Sequence, residues 1–380
     1  MNFSTRVTSV EPSATLAVST LASELEADGV DVVDLSVGEP DFDTPENIVD
    51  AGKAAMDAGH TGYAPSNGVP ELRDAIAEKL QGDGLDYEAG NVIVTPGAKQ
   101  ALYETFQAVV DEGDEVALLD PAWVSYEAMA KLAGGELNRV DLAPHDFQLE
   151  PALDDLADAV SDDTELLVVN SPSNPTGAVY SRAAIEGVRD LAVDHDITVI
   201  SDEIYQRVNY GPAHVSLAGL DGMFERTVTI NGFSKAYSMT GWRLGYLAGP
   251  EALVDQAGKV QSHSVSSAAN FIQRAGVEAI RHTDDAIDEM VAAFESRRDL
   301  LVDLFAEHGT DVSTPDGAFY LMLPVADDDQ AWCQDALKDA HVATVPGSAF
   351  GAPGYARLSY AASTDRLEAA VDRLAAEGYL

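Results

Sequence analysis

The segment TVTINGFSKAYSMTGWRLG, residues 227–245, joins a short apolar run to a loop that carries one lysine, Lys235. The run TVTIN is typical of a strand buried on both faces of a parallel sheet. Lys235 follows it directly and is flanked by glycine, serine and aromatic residues, although the chain as a whole is strongly acidic. The segment therefore predicts a buried strand with a lysine at its carboxyl end.

The same pattern of a short apolar run, a polar or glycine-containing turn and a helical stretch recurs through the preceding part of the chain. The further runs are NVIVT (91–95), EVALL (115–119), ELLVVN (165–170) and ITVIS (197–201). Helical stretches such as KQALYETFQAVV and SRAAIEGVRDLAVDHD lie between them and supply the crossovers that parallel strands need. These features predict an α/β fold with a mostly parallel central sheet.

The C-terminal part of the chain is organised differently. We expect an acidic helix at 283–304, strands in GAFYLML and ARLSYA, and a terminal helix in STDRLEAAVDRLAAEG. Because a single core stops growing at about 250 to 300 residues, a chain of 380 residues suggests one large domain and a smaller one. We predict an N-terminal segment at 1–45 that joins the smaller domain, a large domain at 46–284 and a small α+β domain at 285–380.

The composition disfavours several classes of protein. The chain has 65 Asp and Glu residues against 22 Lys and Arg, a formal net charge of −43, yet 46% of its residues are hydrophobic. This hydrophobic fraction indicates a folded globular protein, and the negative charge disfavours nucleic acid and anionic membranes as partners. Self-repulsion destabilises a compact state unless ions screen it, so we expect the protein to work in concentrated salt.

Cysteine usage and the N-terminal sequence bear on location. Cys333 is the single cysteine, which excludes an intrachain disulfide and is compatible with a reducing compartment. The start of the chain lacks the apolar run of a signal peptide, and no stretch approaches the length of a membrane span. We expect a cytoplasmic protein without a metal site, since one cysteine with no paired ligands does not form a structural zinc site.

In open parallel sheets, ligands bind outside the carboxyl ends of the strands, so the residues after each run are candidates for chemistry. A desolvated amine at Lys235 would be a nucleophile toward carbonyls, although a lysine at a strand end is more often a solvated surface residue. Asp202 follows ITVIS and suits the protonated nitrogen of a pyridine ring, with Tyr205 three residues on. A helix cap and half-buried packing are the structural alternatives for these two residues.

Further candidates follow the other strands. The turn in TPGAKQAL (95–102) opens a helix and offers free N–H groups to a phosphate, and Arg243 is a second candidate for holding an anion. Trp123 is placed to stack on a planar ring, and Asn174 to donate a hydrogen bond to a ring oxygen. Each also has an ordinary structural alternative: a plain strand-to-helix loop, a surface arginine, a core tryptophan and a turn asparagine.

Taken in order along the chain, these residues resemble a known family. The motifs are PSATLAV, VGEPDFDTPE, GYAPSNGVPELR, VTPGAKQAL, PAWVSY, VVNSPSNPTGAVY, SDEIY, SKAYSMTGWRLGY, GAFYLM and RLSYA, and they span nearly the whole chain. Together they are similar to the fold type I pyridoxal phosphate enzymes, in particular the class I aminotransferases, and within these to the prokaryotic aspartate aminotransferases. The resemblance implies pyridoxal 5'-phosphate (PLP) as cofactor, amino and 2-oxo acids as substrates, and a homodimer with shared active sites.

The resemblance also implies a role for each candidate. Lys235 would be the catalytic residue, which carries the cofactor as a Schiff base and moves the proton at the substrate α-carbon. The cofactor-binding residues implied besides Lys235 are Gly97, Ala98, Lys99, Trp123, Asn174, Asp202, Tyr205, Ser234, Arg243 and, from the neighbouring subunit, Tyr63. Gly232 stands where many relatives place a phosphate-binding serine, which predicts one hydrogen bond fewer to the phosphate.

The substrate-binding residues implied in the same way are Gly38, Trp123, Asn174, Arg357, Thr15 and Lys99. Arg357, in ARLSYA, matches the arginine that binds the α-carboxylate, while Thr15 and Lys99 match positions associated with the distal carboxylate of acidic substrates. This favours transamination from L-aspartate to 2-oxoglutarate. The alternatives are an aromatic, alanine or prephenate aminotransferase, or a non-catalytic PLP-binding relative, because the cofactor residues are common to all of them.

Overall fold

The computed structural model describes residues 1–12 and 14–380, with the helical backbone alone for 14–17. Its helices are α1 (Thr5–Thr8), α2 (Ala14–Ala27), α3 (Glu46–Asp57), α4 (Pro70–Gly82), α5 (Ala98–Val109), α6 (Val124–Ala133), α7 (Leu153–Ala159), α8 (Arg182–Asp194), α9 (Glu251–Ser264), α10 (Asn270–His282), α11 (Asp284–Glu307), α12 (Asp329–Asp335) and α13 (Thr364–Ala376). Its strands are β1 (Val33–Asp34), β2 (Val92–Thr95), β3 (Glu115–Asp120), β4 (Glu136–Asp141), β5 (Thr164–Asn170), β6 (Thr198–Asp202), β7 (Thr227–Gly232), β8 (Gly245–Ala248), β9 (Tyr320–Pro324), β10 (Val342–Ala343), β11 (Val345–Pro346) and β12 (Tyr355–Ser359).

Seven strands form the central sheet in the order β2-β8-β7-β6-β5-β3-β4. The pairings among β3 to β7 are parallel, and β8 runs antiparallel to both of its neighbours. The five strands predicted from the apolar runs are present as β2, β3, β5, β6 and β7. The sequence pattern does not predict β4, whose residues are mostly exposed or half-buried at the sheet edge, or the four-residue β8. The prediction of a mostly parallel α/β sheet is confirmed.

Both faces of this sheet are buried, which explains why its strands read as continuous apolar runs. Along β5, Leu166 and Val168 enter one hydrophobic core, while Leu167 and Val169 enter another on the opposite face. Helix α8 is one of the elements that cover the sheet. It begins where the Ser181 hydroxyl accepts a hydrogen bond from the Ala184 N–H at 3.1 Å, and it buries Ile185 and Val188.

The strand register brings the carboxyl ends of β5, β6 and β7 together. Asn170 at the end of β5 pairs with Asp202 at the end of β6, and Asp202 pairs with Ile230 in β7. The chain leaves β7 at Gly232 and turns into the loop that carries Lys235. The side chains that follow the three strands therefore emerge side by side at one edge.

The C-terminal part has its own antiparallel sheet, in the order β11-β12-β9, and its own hydrophobic core. The acidic helix predicted at 283–304 is α11, which extends to Glu307. Strand β1 of the N-terminal segment pairs with β10 in a separate parallel pair. This pairing supports an N-terminal segment that joins the smaller unit, and the boundaries at residues 45 and 284 stay a prediction.

No helix in the described part of the chain is long and apolar enough to cross a membrane. No group of three or more His, Cys, Asp or Glu side chains in it is arranged to hold a metal ion.

Candidate active site

A cavity of about 530 Å³ lies at the carboxyl ends of β5, β6 and β7. Eleven of the residues predicted from the sequence line it, namely Gly38, Ala98, Lys99, Trp123, Asn174, Asp202, Tyr205, Ser234, Lys235, Arg243 and Arg357. They come from the N-terminal segment, the loops of the central sheet and β12, so the fold gathers them from nearly the whole chain.

Lys235 is half-buried in the loop after β7, and its Nζ donates a hydrogen bond to the Gly38 carbonyl. Burial, reinforced by the charge of Arg357, lowers the pKa of Lys235 to about 8. The Nζ lies 5.7 Å from the ring centre of Tyr205 and 5.6 Å from that of Phe319. An amine with this pKa is partly neutral near pH 8, and in that form it is a nucleophile and a base.

Asp202 ends β6 and is only 3% exposed. Its Oδ2 accepts a hydrogen bond from the Tyr126 hydroxyl at 2.7 Å, and its Oδ1 accepts one from the Ile204 N–H at 3.2 Å. Burial raises the pKa of Asp202 to about 6, and the hydrogen bond from Tyr126 opposes that rise. A carboxylate held in this way favours a cationic partner in the cavity.

Arg357 presents a fixed, almost completely buried guanidinium. Its Nη1 donates to Asn174 Oδ1 at 3.1 Å and its Nη2 donates to the Ser36 carbonyl at 2.6 Å. The guanidinium carbon lies 4.5 Å from the ring centre of Tyr320 and 5.0 Å from that of Phe350. The buried Nε has no hydrogen-bond partner among the described residues. These contacts fix the position of the planar guanidinium and leave its Nε without a partner among the described residues. Such a cation is suited to binding a carboxylate.

The start of α5 has features suited to binding an anion, and it lies beside two cations. Gly97 is the N-cap of α5 and has no side chain to accept from the first N–H groups of the helix. A Cβ at Gly97, where φ is +84°, would lie 2.5 Å from Arg243 Nη2, so glycine lets the guanidinium approach this turn. Lys99 Nζ lies 4.7 Å from the Trp123 ring centre, beside the same turn. Burial and the charge of Arg243 lower the pKa of Lys99. Free N–H groups, the helix dipole and two cations together favour a phosphate.

Several polar side chains that line the cavity were not predicted from the sequence: Glu39, Tyr126, Asn170, Thr240 and Tyr320. Asn170 donates to the Asp202 carbonyl at 2.9 Å and accepts from the Asn174 N–H at 2.8 Å, so it fixes two neighbouring loops. The Tyr320 hydroxyl lies 2.8 Å from that of Tyr205. Asn170 ends a predicted strand, which is a signal that could have identified it. The other four depend on tertiary contacts between distant segments.

Of the predicted residues that the structure describes in full, Gly97 and Tyr63 do not line this cavity. Gly97 directly precedes Ala98, which does. Tyr63 is 96% exposed. The side chain of Thr15 lies outside the described residues. The roles of Tyr63 and Thr15 therefore stay predictions.

Gly232 lies at the end of β7, opposite Gly245 of β8. A Cβ at Gly232 would lie 3.0 Å from the Gly245 Cα and 3.1 Å from the Leu244 carbonyl oxygen. A serine at this position would therefore require the neighbouring backbone to give way. The glycine thus suits the close approach of the two strands.

The chain is similar over nearly its whole length to known proteins. The family model described as Aminotransferase class I and II matches residues 30–374. The aspartate aminotransferase of Geobacillus stearothermophilus is 44% identical over 388 aligned positions, which cover 98% of each chain. The aspartate/prephenate aminotransferase of Thermus thermophilus is 43% identical, over 98% of this chain and 97% of the relative. The structure of the aspartate aminotransferase from Thermus thermophilus with maleate matches with a TM-score of 0.96 at 42% identity, and 99% of each chain is covered.

The central sheet and the residues at its carboxyl edge define a fold type I PLP-dependent enzyme. Within that class, the chain belongs to the class I and II aminotransferases. The prediction of a class I aminotransferase similar to the prokaryotic aspartate aminotransferases is confirmed, and with it PLP as the cofactor.

Proposed function

We propose that the protein transfers the amino group of L-aspartate to 2-oxoglutarate, giving oxaloacetate and L-glutamate. The observation that carries this proposal is the convergence of Lys235, Asp202 and Arg357 on one cavity. An amine of lowered pKa, a buried carboxylate and a fixed guanidinium are the groups that such a transfer requires from the protein. Relatives named aspartate aminotransferase, at 41% to 44% identity, support aspartate as the donor.

The residues in the cavity fit PLP. The start of α5 and Arg243 suit its phosphate, Asp202 suits its ring nitrogen and Lys235 suits its aldehyde. We assign the remaining cofactor contacts to Trp123, Asn174, Tyr205, Ser234 and the turn at Gly97, Ala98 and Lys99. When bound, PLP supplies an electron sink that stabilises negative charge at the substrate α-carbon. The ionised form of Asp202 holds the ring nitrogen protonated, and the hydrogen bond from Tyr126 favours that form.

Lys235 moves the proton in this proposal. Its pKa of about 8 leaves both the ammonium and the neutral amine populated near neutral pH. With PLP bound, the neutral Nζ would accept the proton of the substrate α-carbon, and the resulting ammonium would deliver it to the former aldehyde carbon of the cofactor. Arg357 orients the substrate by its α-carboxylate, with the Gly38 backbone alongside, so that the reacting C–H bond stays within reach of the amine.

Lys99 gives the site its preference for acidic substrates. It is exposed toward the cavity, and its Nζ is held over the Trp123 ring. A cation there attracts the distal carboxylate of an acidic substrate, whereas an uncharged substrate side chain receives no such attraction. Thr15, whose side chain lies outside the described residues, is proposed as its partner from the N-terminal segment.

We propose that the enzyme is a homodimer with shared active sites. Tyr63 lies in a loop that is joined to a second loop by a hydrogen bond, in which Ser66 Oγ donates to the Ser266 carbonyl at 2.8 Å. The second loop exposes Val265, which is 38% accessible. Exposed apolar and aromatic groups on two joined loops suit contact with a second copy, where Tyr63 would reach the phosphate of the neighbouring site.

We further propose that the enzyme works in a cytoplasm of high salt concentration. The net charge of −43 supports the salt requirement, because self-repulsion on this scale needs screening. The buried thiol of Cys333, with no second cysteine in the chain, is compatible with a reducing compartment.

The test is a panel of amino donors at a fixed concentration of 2-oxoglutarate. We expect kcat/KM for aspartate to exceed the values for alanine and phenylalanine by at least about tenfold, the equivalent of roughly 1.4 kcal/mol of binding to the distal carboxylate. Lys235→Ala should abolish turnover with every donor. Equal rates for aspartate and phenylalanine would assign a broader specificity, and turnover by Lys235→Ala would remove the proposed role of that lysine.

A further inference from the structure

The short segment Ser36–Glu39 touches the site's cations at several points. The Ser36 carbonyl accepts from Arg357, and the Gly38 carbonyl accepts from Lys235. The segment has little freedom at Gly38, where a Cβ would lie 2.4 Å from the Tyr320 hydroxyl oxygen. The position of the next residue, Glu39, is therefore set by its neighbours in the chain.

Glu39 is bonded to the loop that carries the phosphate-site arginine. The Thr240 hydroxyl donates to Glu39 Oε1 at 2.6 Å. The carbonyl of the same Thr240 accepts from Arg243 Nη1 at 2.9 Å. Arg243 in turn presents its other terminal nitrogen to Gly97, at the start of α5. Glu39, Thr240 and Arg243 thus form a continuous chain of contacts, through the hydroxyl and the backbone carbonyl of Thr240, from the N-terminal segment to the start of α5.

Glu39 carries a negative charge in a cavity whose charged residues are mainly cations. Among the charged residues that line the cavity in the described part of the chain, Lys99, Lys235, Arg243 and Arg357 are cations, whereas the carboxylates are Asp202 and Glu39. Asp202 is buried and already accepts hydrogen bonds, while Glu39 is exposed at the rim. A carboxylate at the rim of a site for anionic ligands opposes their binding, so its presence needs a compensating function.

Holding the two segments together does not require Glu39. The Thr44 hydroxyl donates to the Ser238 carbonyl at 2.6 Å, and Trp242 Nε1 donates to the Thr44 hydroxyl at 3.0 Å. These bonds link the N-terminal segment to the same loop at Ser238 and Trp242, two residues before and two residues after Thr240. The bond from Thr240 to Glu39 differs from them, because Thr240 is also the residue whose carbonyl accepts a hydrogen bond from Arg243.

We propose that Glu39 is a positioning residue for phosphate binding, which fixes Thr240 and through it aims Arg243 at the start of α5. This inference rests on the proposed function, since it takes Arg243 as a phosphate ligand. It predicts that loss of either end of the bond weakens the binding of a phosphorylated cofactor and spares the binding of its phosphate-free analogue. Lys235 and Asp202, which bind other parts of the cofactor, keep their contacts when the bond is removed.

The experiment measures equilibrium binding of PLP and of pyridoxal, which lacks the phosphate, to the full-length chain freed of cofactor. Thr240→Val should weaken PLP binding by about tenfold, the effect of one hydrogen bond to a charged group, and change pyridoxal binding less than twofold. Glu39→Ala should weaken PLP binding by a smaller factor, because loss of the carboxylate also removes a charge that repels the phosphate. The double variant should lose no more than either single variant, because the two residues act through one bond. Thr240→Ser, which keeps the hydroxyl, should restore most of the affinity.

Thr44→Val is the matched control, because it removes two bonds between the same two segments that involve neither Thr240 nor the Arg243 side chain. It should lower the melting temperature without changing the ratio of PLP to pyridoxal affinity. Unchanged PLP binding in Thr240→Val, or equal losses for PLP and pyridoxal, would overturn the inference. If the wild-type chain binds PLP and transaminates aspartate in that case, the proposed function stands and only the role of Glu39 is lost.

Discussion

The hydroxyl of Tyr126 donates a hydrogen bond to Oδ2 of Asp202 across 2.7 Å, inside a site where that carboxylate is almost completely buried. Burial alone would favour the protonated acid, which does not attract the protonated nitrogen of a pyridine ring. The hydrogen bond from Tyr126 stabilises the carboxylate form. The hydrogen bond from Tyr126 thus offsets part of the free-energy cost of burying the Asp202 carboxylate at the end of a strand that is covered on both faces.

Tyr126→Phe removes that donor. We expect the affinity for PLP to fall by about 10- to 150-fold, the equivalent of about 1.5 to 3 kcal/mol for a hydrogen bond to a charged group. The pKa of Asp202, which burial raises to about 6, should rise further in the variant. Since the carboxylate is the binding form, affinity falls as pH decreases through that pKa. A PLP titration across pH should therefore show the loss beginning at higher pH in the variant.

Tyr379→Phe provides a matched control for this experiment. Tyr379 also donates to a carboxylate, that of Asp339 at 3.0 Å, but at an exposed position outside the residues that line the cavity. It should leave both the affinity and its pH dependence unchanged. Identical pH curves for Tyr126→Phe and the wild type would contradict the role given to this hydrogen bond.

The lowered pKa of Lys235 predicts the pH dependence of its reactivity. Its neutral fraction should rise with pH around a midpoint of about 8, so the rate of aldehyde capture by the cofactor-free chain should level off above that pH. The charge of Arg357 contributes to the shift after burial, so Arg357→Gln should move the midpoint upward. A midpoint near 10.4, the ordinary value for lysine, would show that the amine is solvated.

Lys99→Ala tests the preference for acidic substrates. We expect kcat/KM for aspartate to fall by about tenfold or more, while the value for alanine, which lacks a distal carboxylate, falls much less. Lys99 also lies in the turn assigned to the phosphate, so the PLP affinity of the variant is measured alongside and both donors are assayed at saturating PLP. Equal losses for the two donors would mean that Lys99 acts on the cofactor alone.

Mixing an inactive variant, Lys235→Ala, with an impaired one, Tyr63→Ala, tests the shared active site. In a hybrid of Lys235→Ala and Tyr63→Ala chains, one site has an intact Lys235 and receives an intact Tyr63 from its neighbour. We expect the mixture to regain up to about a quarter of the wild-type activity, because half of the dimers are hybrids with one working site of two. Activity no greater than the sum of the separate variants would contradict the exchange of Tyr63 between subunits.

Stability should depend on salt. The screening length falls from about 8 Å at physiological ionic strength to about 3 Å at 1 M, so repulsion among the carboxylates weakens while buried contacts persist. We expect the melting temperature to rise steadily between 0.15 and 2 M KCl. A melting temperature that stays constant over this range would show that the charge of −43 is already accommodated within the fold.

Much of the fold is readable from the sequence because a doubly covered parallel sheet needs continuous apolar strands. The same rule places ligands at the carboxyl ends of the strands, and it identifies Asp202, Asn174 and Lys235 without any knowledge of tertiary contacts. This rule does not predict strand β8, because β8 has only four residues and runs antiparallel between two other strands.

The residues that tune the site are harder to predict. Tyr126 lies on α6 and Tyr320 on β9, and their positions near Asp202 and Tyr205 depend on how distant elements pack. Glu39 looks like one more solvated acid in a chain with 65 of them. Its contact with Thr240 joins residues 201 positions apart, a relationship that no local pattern encodes.

The most direct test of the central claim is a single turnover of the purified enzyme with L-aspartate and no 2-oxo acid. Bound PLP gives the protein a visible absorbance, and transfer of the amino group to it should bleach that absorbance while one oxaloacetate forms per active site. Added 2-oxoglutarate should then restore the colour and release one glutamate. A protein that binds PLP yet keeps its absorbance and yields no oxaloacetate would contradict the assignment as an aspartate aminotransferase.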